Sequence, residues 1–288
     1  MKQILTYFCL ILLSIFIIEG DLTSKEEFPV LKGPYLGQKP PGMKPELFAP
    51  GIVSTKDHIE MGFTCTSDGR EIYFARSERM DIDSYFAIWV VRQKNGKWSK
   101  PEVAPFSGVY RDFGPFVTPD GKYLLFYRMS SKKAQIERGT YIIEKQGDTF
   151  GEPGYFFNAY CMTSADFKTF YFSTEKDKKT SRDLAMVQWD NGDFLTPEKL
   201  KGSINSDEWE AHGCISPDGT YIIFDRIQHT YVSFLQKDNK WSKGYQLPGK
   251  FHVPIVSGNG KYIFFEANGD IHWVSTKIIE AMRPEESK

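Results

Sequence analysis

The chain has 288 residues, 41% of them hydrophobic and 25% charged, which supplies enough apolar surface for one sizeable core. Its 36 basic and 37 acidic side chains leave a formal net charge of −1, so no whole-chain field draws it to nucleic acid or to an anionic membrane. No nucleic-acid partner is expected, and any other partner must be met at a local site.

The first stretch reads as a signal peptide over residues 1–20. Lys2 supplies the positive start, Ile4 to Ile18 is an almost unbroken apolar run, and Glu19-Gly20-Asp21 returns to polarity. That run is about 15 residues, short of the roughly 20 that span a bilayer. The expectation is export to the periplasm or the medium of a bacterial envelope, with no stable membrane insertion after cleavage. Residues 21–45 follow with Pro29, Pro34, Pro40, Pro41 and Pro45 among glycines, a composition that suits an extended arm. Next, Pro45-Glu46-Leu47-Phe48-Ala49-Pro50 resembles the outer-strand segments Pro101-Glu102-Val103-Ala104-Pro105 and Pro197-Glu198-Lys199-Leu200, yet no blade precedes it.

From there a polar turn leading into a phenylalanine recurs five times. The copies are Thr66-Ser67-Asp68-Gly69 into Phe74, Thr118-Pro119-Asp120-Gly121 into Phe126, Ser164-Ala165-Asp166-Phe167 into Phe172, Ser216-Pro217-Asp218-Gly219 into Phe224, and Ser257-Gly258-Asn259-Gly260 into Phe265. Turn-end positions 69, 121, 167, 219 and 260 differ by 52, 46, 52 and 41, close to one four-stranded blade per repeat. Second hairpins over turns such as Asn95-Gly96 and Asn191-Gly192 support the count. The fifth repeat lacks a fourth strand, and residues 46–49 are the spare one. The fold predicted is therefore an all-β, five-bladed β-propeller over residues 46–277, closed by an N-terminal strand that completes the last blade, with a C-terminal tail at 278–288.

Taking the Pro-Asp-Gly triplet as a three-residue loop, so that Thr118 faces Lys122, pairs Gly114 with Phe126 and Asp112 with Arg128. The same count pairs Gly62 with Phe74, Glu60 with Arg76, His212 with Phe224 and Glu210 with Arg226. In blade three it pairs Tyr160 with Phe172 and Asn158 with Thr174, and in blade five Val253 with Phe265 and Phe251 with Ala267. Each phenylalanine is expected in the core. The acid and arginine pairs of blades one, two and four should share the channel rim, either as ion pairs that fix register or as part of a binding mouth. On the second reading, blades three and five, with Asn158, Thr174, Phe251 and His252, leave a polar and aromatic gap where a ligand enters. Trp209, beside Glu210, could stack on that ligand.

Cys65, Cys161 and Cys214 sit in separate repeats and read as buried free thiols. His58, His212 and His252 lie at different offsets from their turns, and Asp81 and Asp83 share a loop, so spacing argues against a metal site, and no cofactor is expected. No Gly-x-Ser-x-Gly, His-Glu-x-x-His or phosphate-cradling glycine loop is present.

Ser216-Pro217-Asp218-Gly219-Thr220-Tyr221-Ile222-Ile223-Phe224 and its near copies resemble the Ser-Pro-Asp-Gly-Lys repeat of the TolB-like propellers, WD-repeat-like proteins, from about Glu46 to Val274. The resemblance implies an exported propeller, often a protein-binding one, and transfers no catalytic residue. The reading that follows is a monomeric, non-enzymatic module that binds an envelope protein, peptide or glycan at the channel rim. Its candidate residues are Glu60, Arg76, Asp112, Arg128, Asn158, Trp209, Glu210, Arg226 and His252. The alternative is a glycan-active enzyme, a hydrolase or lyase, with Glu60, Asp112 and Glu210 as its carboxylates.

Overall fold

Period-two alternation between polar turns folds the chain into five antiparallel sheets, seen in a computed structural model that describes residues 28–78, 85–175 and 182–285. The expected signal segment and the Asp81/Asp83 loop lie outside the described residues. Among those described, no helix is long and apolar enough to cross a membrane.

From first strand to third, blade one runs Glu60–Cys65, Glu71–Ser77 and Phe86–Lys94. Blade two runs Arg111–Val117, Tyr123–Met129 and Gly139–Gln146. Blade three runs Tyr160–Ser164, Thr169–Glu175 and Arg182–Asp190, and blade four Glu210–Ile215, Tyr221–Arg226 and His229–Phe234. Blade five is His252–Val256, Tyr262–Ala267 and Asp270–Ser275. In blades one to three the fourth position is filled by two short pieces, such as Lys97–Trp98 and Glu102–Val103.

Closure follows the expected route. Glu46 and Leu47 pair with Trp273 and His272, and the Phe48 N–H donates to Ile271 O at 2.8 Å. Phe48 is fully buried, with its ring 5.1–5.2 Å from those of Phe63, Phe264 and Trp273. The first and last blades thus share one aromatic cluster.

The arm is not simply extended. It makes a single 3-10 turn at Tyr35–Gly37 and lies on the turn end of the disc, where blades one and five meet. The Tyr35 N–H donates to Gly69 O, and its hydroxyl meets the Asn259 amide at 2.8 Å. A Cβ on Gly69 would stand 2.6 Å from the Tyr35 ring, so glycine there is what lets the arm seat. At the other terminus, Lys277–Glu280 forms one helical turn that buries Ile278 and Ile279.

One part of the pairing scheme needs correction. The turns hold four residues, not three: the N–H groups of Thr66, Thr118, Ser216 and Ser257 donate to the carbonyls of Glu71, Tyr123, Tyr221 and Tyr262. The extra residue is cancelled further along by a bulge in each first strand, so Glu60 still faces Arg76, Asp112 faces Arg128 and Glu210 faces Arg226. The phenylalanine partners change: Phe63 faces Phe74, where Gly62 was expected. Gly114, His212 and Val253 likewise lie in bulges, not opposite their phenylalanines. The bulge residues Gly62, Gly114, His212 and Val253 all have left-handed φ, between 50° and 67°. They gather on the axis so closely that a Cβ on Gly62 would come within 3.1 Å of Gly114 Cα. The remaining central cavity holds no more than about one water.

Blade three breaks the pattern. Its turn is one residue longer, with Ser164 facing Phe170 and Phe167 taking the positive φ that glycine takes in the other four. Its bulge corrects only one of the two extra residues, so Tyr160 faces Ser173, not Phe172, and Asn158 lies ahead of the strand, not opposite Thr174.

Candidate functional site

Three of the five rim positions are closed. Glu60, Asp112 and Glu210 are each 0% exposed. Their arginines donate from Nε at 2.8 Å: Arg76 to Glu60, Arg128 to Asp112 and Arg226 to Glu210. Each guanidinium also reaches the segment leading into its blade. Arg76 donates to Ile52 O and Val53 O, Arg128 to Phe106 O and Arg226 to Ile204 O. The acids accept from that same segment, through Thr55, Ser107 and Ser206. Beneath each guanidinium, 4.9–5.5 Å away, lies the repeated phenylalanine, Phe74, Phe126 or Phe224. The fixed spacing of turn, phenylalanine and arginine is thus one device that pins an inter-blade connection.

These six residues were candidates for ligand contact; the three acids have no exposed surface, Arg76 and Arg128 are buried, and the Arg226 side chain keeps 13% of its surface. A carboxylate with no exposed surface cannot reach a glycosidic oxygen, so the proposed hydrolase pair loses the acids that motivated it.

The two unpaired blades were expected to form one gap, and they differ. In blade five, Phe251 is buried and stacks on Phe265 at 4.1 Å, filling the rim with apolar surface. In blade three Phe172 is buried, with the Phe157 ring in edge contact at 5.4 Å, and no arginine among the described residues lies over it as one does in blades one, two and four. Phe172 forms the floor of a cavity of about 380 Å³ between blades two and three, lined also by Tyr127, Arg138, Asn158, Tyr160, Thr174 and Arg182. Ser173 lines it too, 7% exposed, and its Oγ has no hydrogen-bond partner among the described residues. Among the described residues no carboxylate lines this cavity, whereas two arginines do.

Trp209 sits to one side, half-buried, with Arg182 over its ring at 5.6 Å. Its other neighbour is His212, 6.1 Å between ring centres. His212 also meets the Tyr160 ring at 5.4 Å and the His252 ring at 5.0 Å. Strand counting placed His212 and His252 apart, in the core and on the rim. The structure brings them together, because the left-handed bulge at His212 turns its side chain away from the face that period-two alternation assigns.

Between the two imidazoles stands Asp225, buried, with Oδ2 2.8 Å from His212 Nδ1 and 3.9 Å from His252 Nε2. The Val253 N–H donates to the same oxygen at 3.1 Å. His252 Nδ1 is 3.0 Å from Glu266 Oε2, and Glu266 Oε1 accepts from the Gly269 N–H. The Glu266 hydrogen bond raises the His252 pKa above its ordinary value despite burial. Burial alone would raise Glu266, yet the hydrogen bonds from His252 and Gly269 hold its carboxyl below the usual range. His58 stays apart, its Nδ1 2.9 Å from Ser77 O. Cys65 and Cys214 are buried free thiols raised in pKa by desolvation, the latter to about 12. Asp225 and Glu266 were missed, although a signal exists. They occupy equivalent places one residue before the rim position, where the other blades carry Ala75, Tyr127 and Ser173.

No protein-family model matches the chain, and no curated protein matches it. Solved structures do resemble it. A protein described as TolB from Agrobacterium tumefaciens aligns at 16% identity over 72% of this chain and 69% of its own, with a TM-score of 0.48. The gluconolactonase XC5397 of Xanthomonas campestris aligns at 12% identity over 85% and 97%, TM-score 0.47. The Bacillus subtilis arabinanase Arb43A aligns at 9% identity over 76% and 94%, TM-score 0.49. These similarities extend to the propeller architecture and to no activity.

Proposed function

We propose that this protein is an exported, TolB-like binding module whose ligand enters at blade three and presents a carboxylate, as an acidic glycan or an acidic peptide segment does. The observation that carries this reading is the asymmetry of the rim. Buried ion pairs seal blades one, two and four and an aromatic stack seals blade five, while blade three holds an open cavity with two arginines and, among the described residues, no acid. Arginine presents a planar fork matched to a carboxylate. Asn158, Thr174 and the unpartnered Ser173 hydroxyl add neutral donors, and Tyr127 and Tyr160, in edge contact at 4.8 Å, supply an apolar wall. The apolar start of the sequence supports export, and the Ser-Pro-Asp-Gly repeats support the family.

Binding of purified protein to an array of acidic and neutral oligosaccharides and peptides tests this. Wild type should retain acidic members, and Arg138→Ala should weaken retention roughly ten- to hundredfold, the worth of a charge-assisted hydrogen bond of about 1.5–3 kcal/mol. Equal retention of neutral and acidic members, or indifference to Arg138→Ala, would overturn the assignment.

A further inference from the structure

We propose that His212, Asp225 and His252 form a binding site for a divalent first-row transition metal, zinc in character, where blades four and five meet. Each residue offers one ligand atom, and these atoms all lie within 4.8 Å of one another. A tetrahedral ion with bonds of about 2.0–2.1 Å holds its ligand atoms roughly 3.3 Å apart. Separations of 2.8 Å and 3.9 Å about Asp225 Oδ2 bracket that value, so modest side-chain rotation closes the site.

The chemistry of the donors selects the ion. Two imidazoles and one carboxylate suit zinc or iron(II), with further positions open to water or a ligand atom. Calcium and magnesium need six or more oxygens, and Asp225 is the sole oxygen donor of the three. Charge agrees as well: a divalent cation beside neutral imidazoles balances the carboxylates of Asp225 and Glu266.

The surroundings are arranged as metal ligands need them. Glu266 holds His252 by Nδ1, which directs Nε2 toward Asp225, and Glu266 is itself fixed by the Gly269 N–H. A simple buried pair would require only His212 and Asp225. The second histidine, with its own carboxylate behind it, is what a structural pair leaves unexplained. Backbone strain points the same way. Where blades one and two place glycine in the bulge, blades four and five hold His212 and Val253 at φ of 52° and 50°. Left-handed backbone is costly for a β-branched residue, and the Val253 N–H that it delivers fixes Asp225. His252 is 36% exposed, so an ion can enter from the channel mouth.

Calorimetric titration of tag-free, EDTA-treated protein with zinc chloride tests the site, together with absorption spectra on cobalt(II) addition. One equivalent should bind, with cobalt bands typical of nitrogen and oxygen ligands. His252→Ala should weaken zinc binding at least about a hundredfold, and Glu266→Gln roughly ten- to hundredfold through lost orientation of His252. His229→Ala, whose exposed ring meets the Gln246 amide and none of the three ligands, should change nothing. Should His252→Ala fail to fold, the near-isosteric Glu266→Gln still decides. Absence of saturable binding at millimolar zinc, or stoichiometric binding unaltered in both variants, would overturn the proposal.

Discussion

Blades two and three carry the same four-stranded plan and end in opposite ways at the rim. In blade two the Asp112 carboxylate, the Arg128 guanidinium, the Phe126 ring and the Ser107 hydroxyl form one buried unit that locks the lead-in segment. In blade three the same offsets hold Asn158, Thr174 and Phe172, and a cavity replaces the unit. The difference begins at the far end of the sheet. One more residue in the turn between Ser164 and Phe170 displaces the rim register by one, so even an acid and an arginine at 158 and 174 would not face each other. A turn-length change on one face of the disc thus accompanies a cavity on the other.

The largest effect expected from this contrast is on stability. Asp112→Ala strands Arg128, 4% exposed, without a counter-ion, and removing one partner of a buried pair costs about 3–5 kcal/mol. Asn158→Ala, at the equivalent place in the open blade, removes an exposed side chain and should stay within about 0.5 kcal/mol. Urea unfolding of both variants measures the gap. Similar losses in the two would mean that the rim pairs do not carry the locking role assigned to them.

How far this was legible in the sequence depends on what each signal measures. The interval between Gly69, Gly121, Phe167, Gly219 and Gly260 reports chain length per blade, which four strands and three connections determine, so blade number and closure by residues 46–49 were readable. The pairs Glu60–Arg76, Asp112–Arg128 and Glu210–Arg226 were found although the turn was taken one residue too short, because an unseen bulge of one residue cancelled the error. In blade three the two no longer cancel, and the pairing of Asn158 with Thr174 failed there. Burial of the rim acids was not readable, because opposed charges have the same spacing whether a connecting segment covers them or not. The meeting of His212 with His252 was hidden for a related reason. Counting by twos assumes extended backbone, and His212 is left-handed.

A smaller effect should distinguish a cavity kept for a ligand from a packing fault. The Ser173 hydroxyl is buried without a partner among the described residues, whereas Ser233, its counterpart in burial on blade four, donates to Ser242 O at 2.7 Å. Removing an unsatisfied hydroxyl relieves a desolvation cost, so Ser173→Ala should leave stability unchanged or raise it by up to about 1 kcal/mol, while Ser233→Ala should lower it by about 1 kcal/mol. If the cavity takes a polar ligand, Ser173→Ala should also weaken retention on the acidic array. Unaltered retention would remove Ser173 from the site.

The turn face offers the smallest effect and a control, since there blades two, four and five remain alike. Asp120 accepts from the Thr118 hydroxyl at 2.6 Å and the Lys122 N–H, and Asp218 from the Ser216 hydroxyl at 2.6 Å and the Thr220 N–H. Partial burial works against ionisation at both, yet these donors hold both carboxyls below the ordinary range. A carboxyl depressed in the folded state stabilises above its unfolded pKa of about 3.9 and loses that contribution as pH falls through the folded value. Asn259 makes the same contacts in blade five with no charge to titrate. The double variant Asp120→Asn, Asp218→Asn keeps the accepting oxygens, so near neutral pH it should lose less than about 1 kcal/mol per site after solvent screening. Its stability should converge on wild type as pH falls from ~4 through the depressed folded values, because protonation then removes the same contribution from the native turns. A deficit that persists undiminished in acid would show that asparagine distorts these turns, and that blade five reaches its geometry by a different balance from blades two and four.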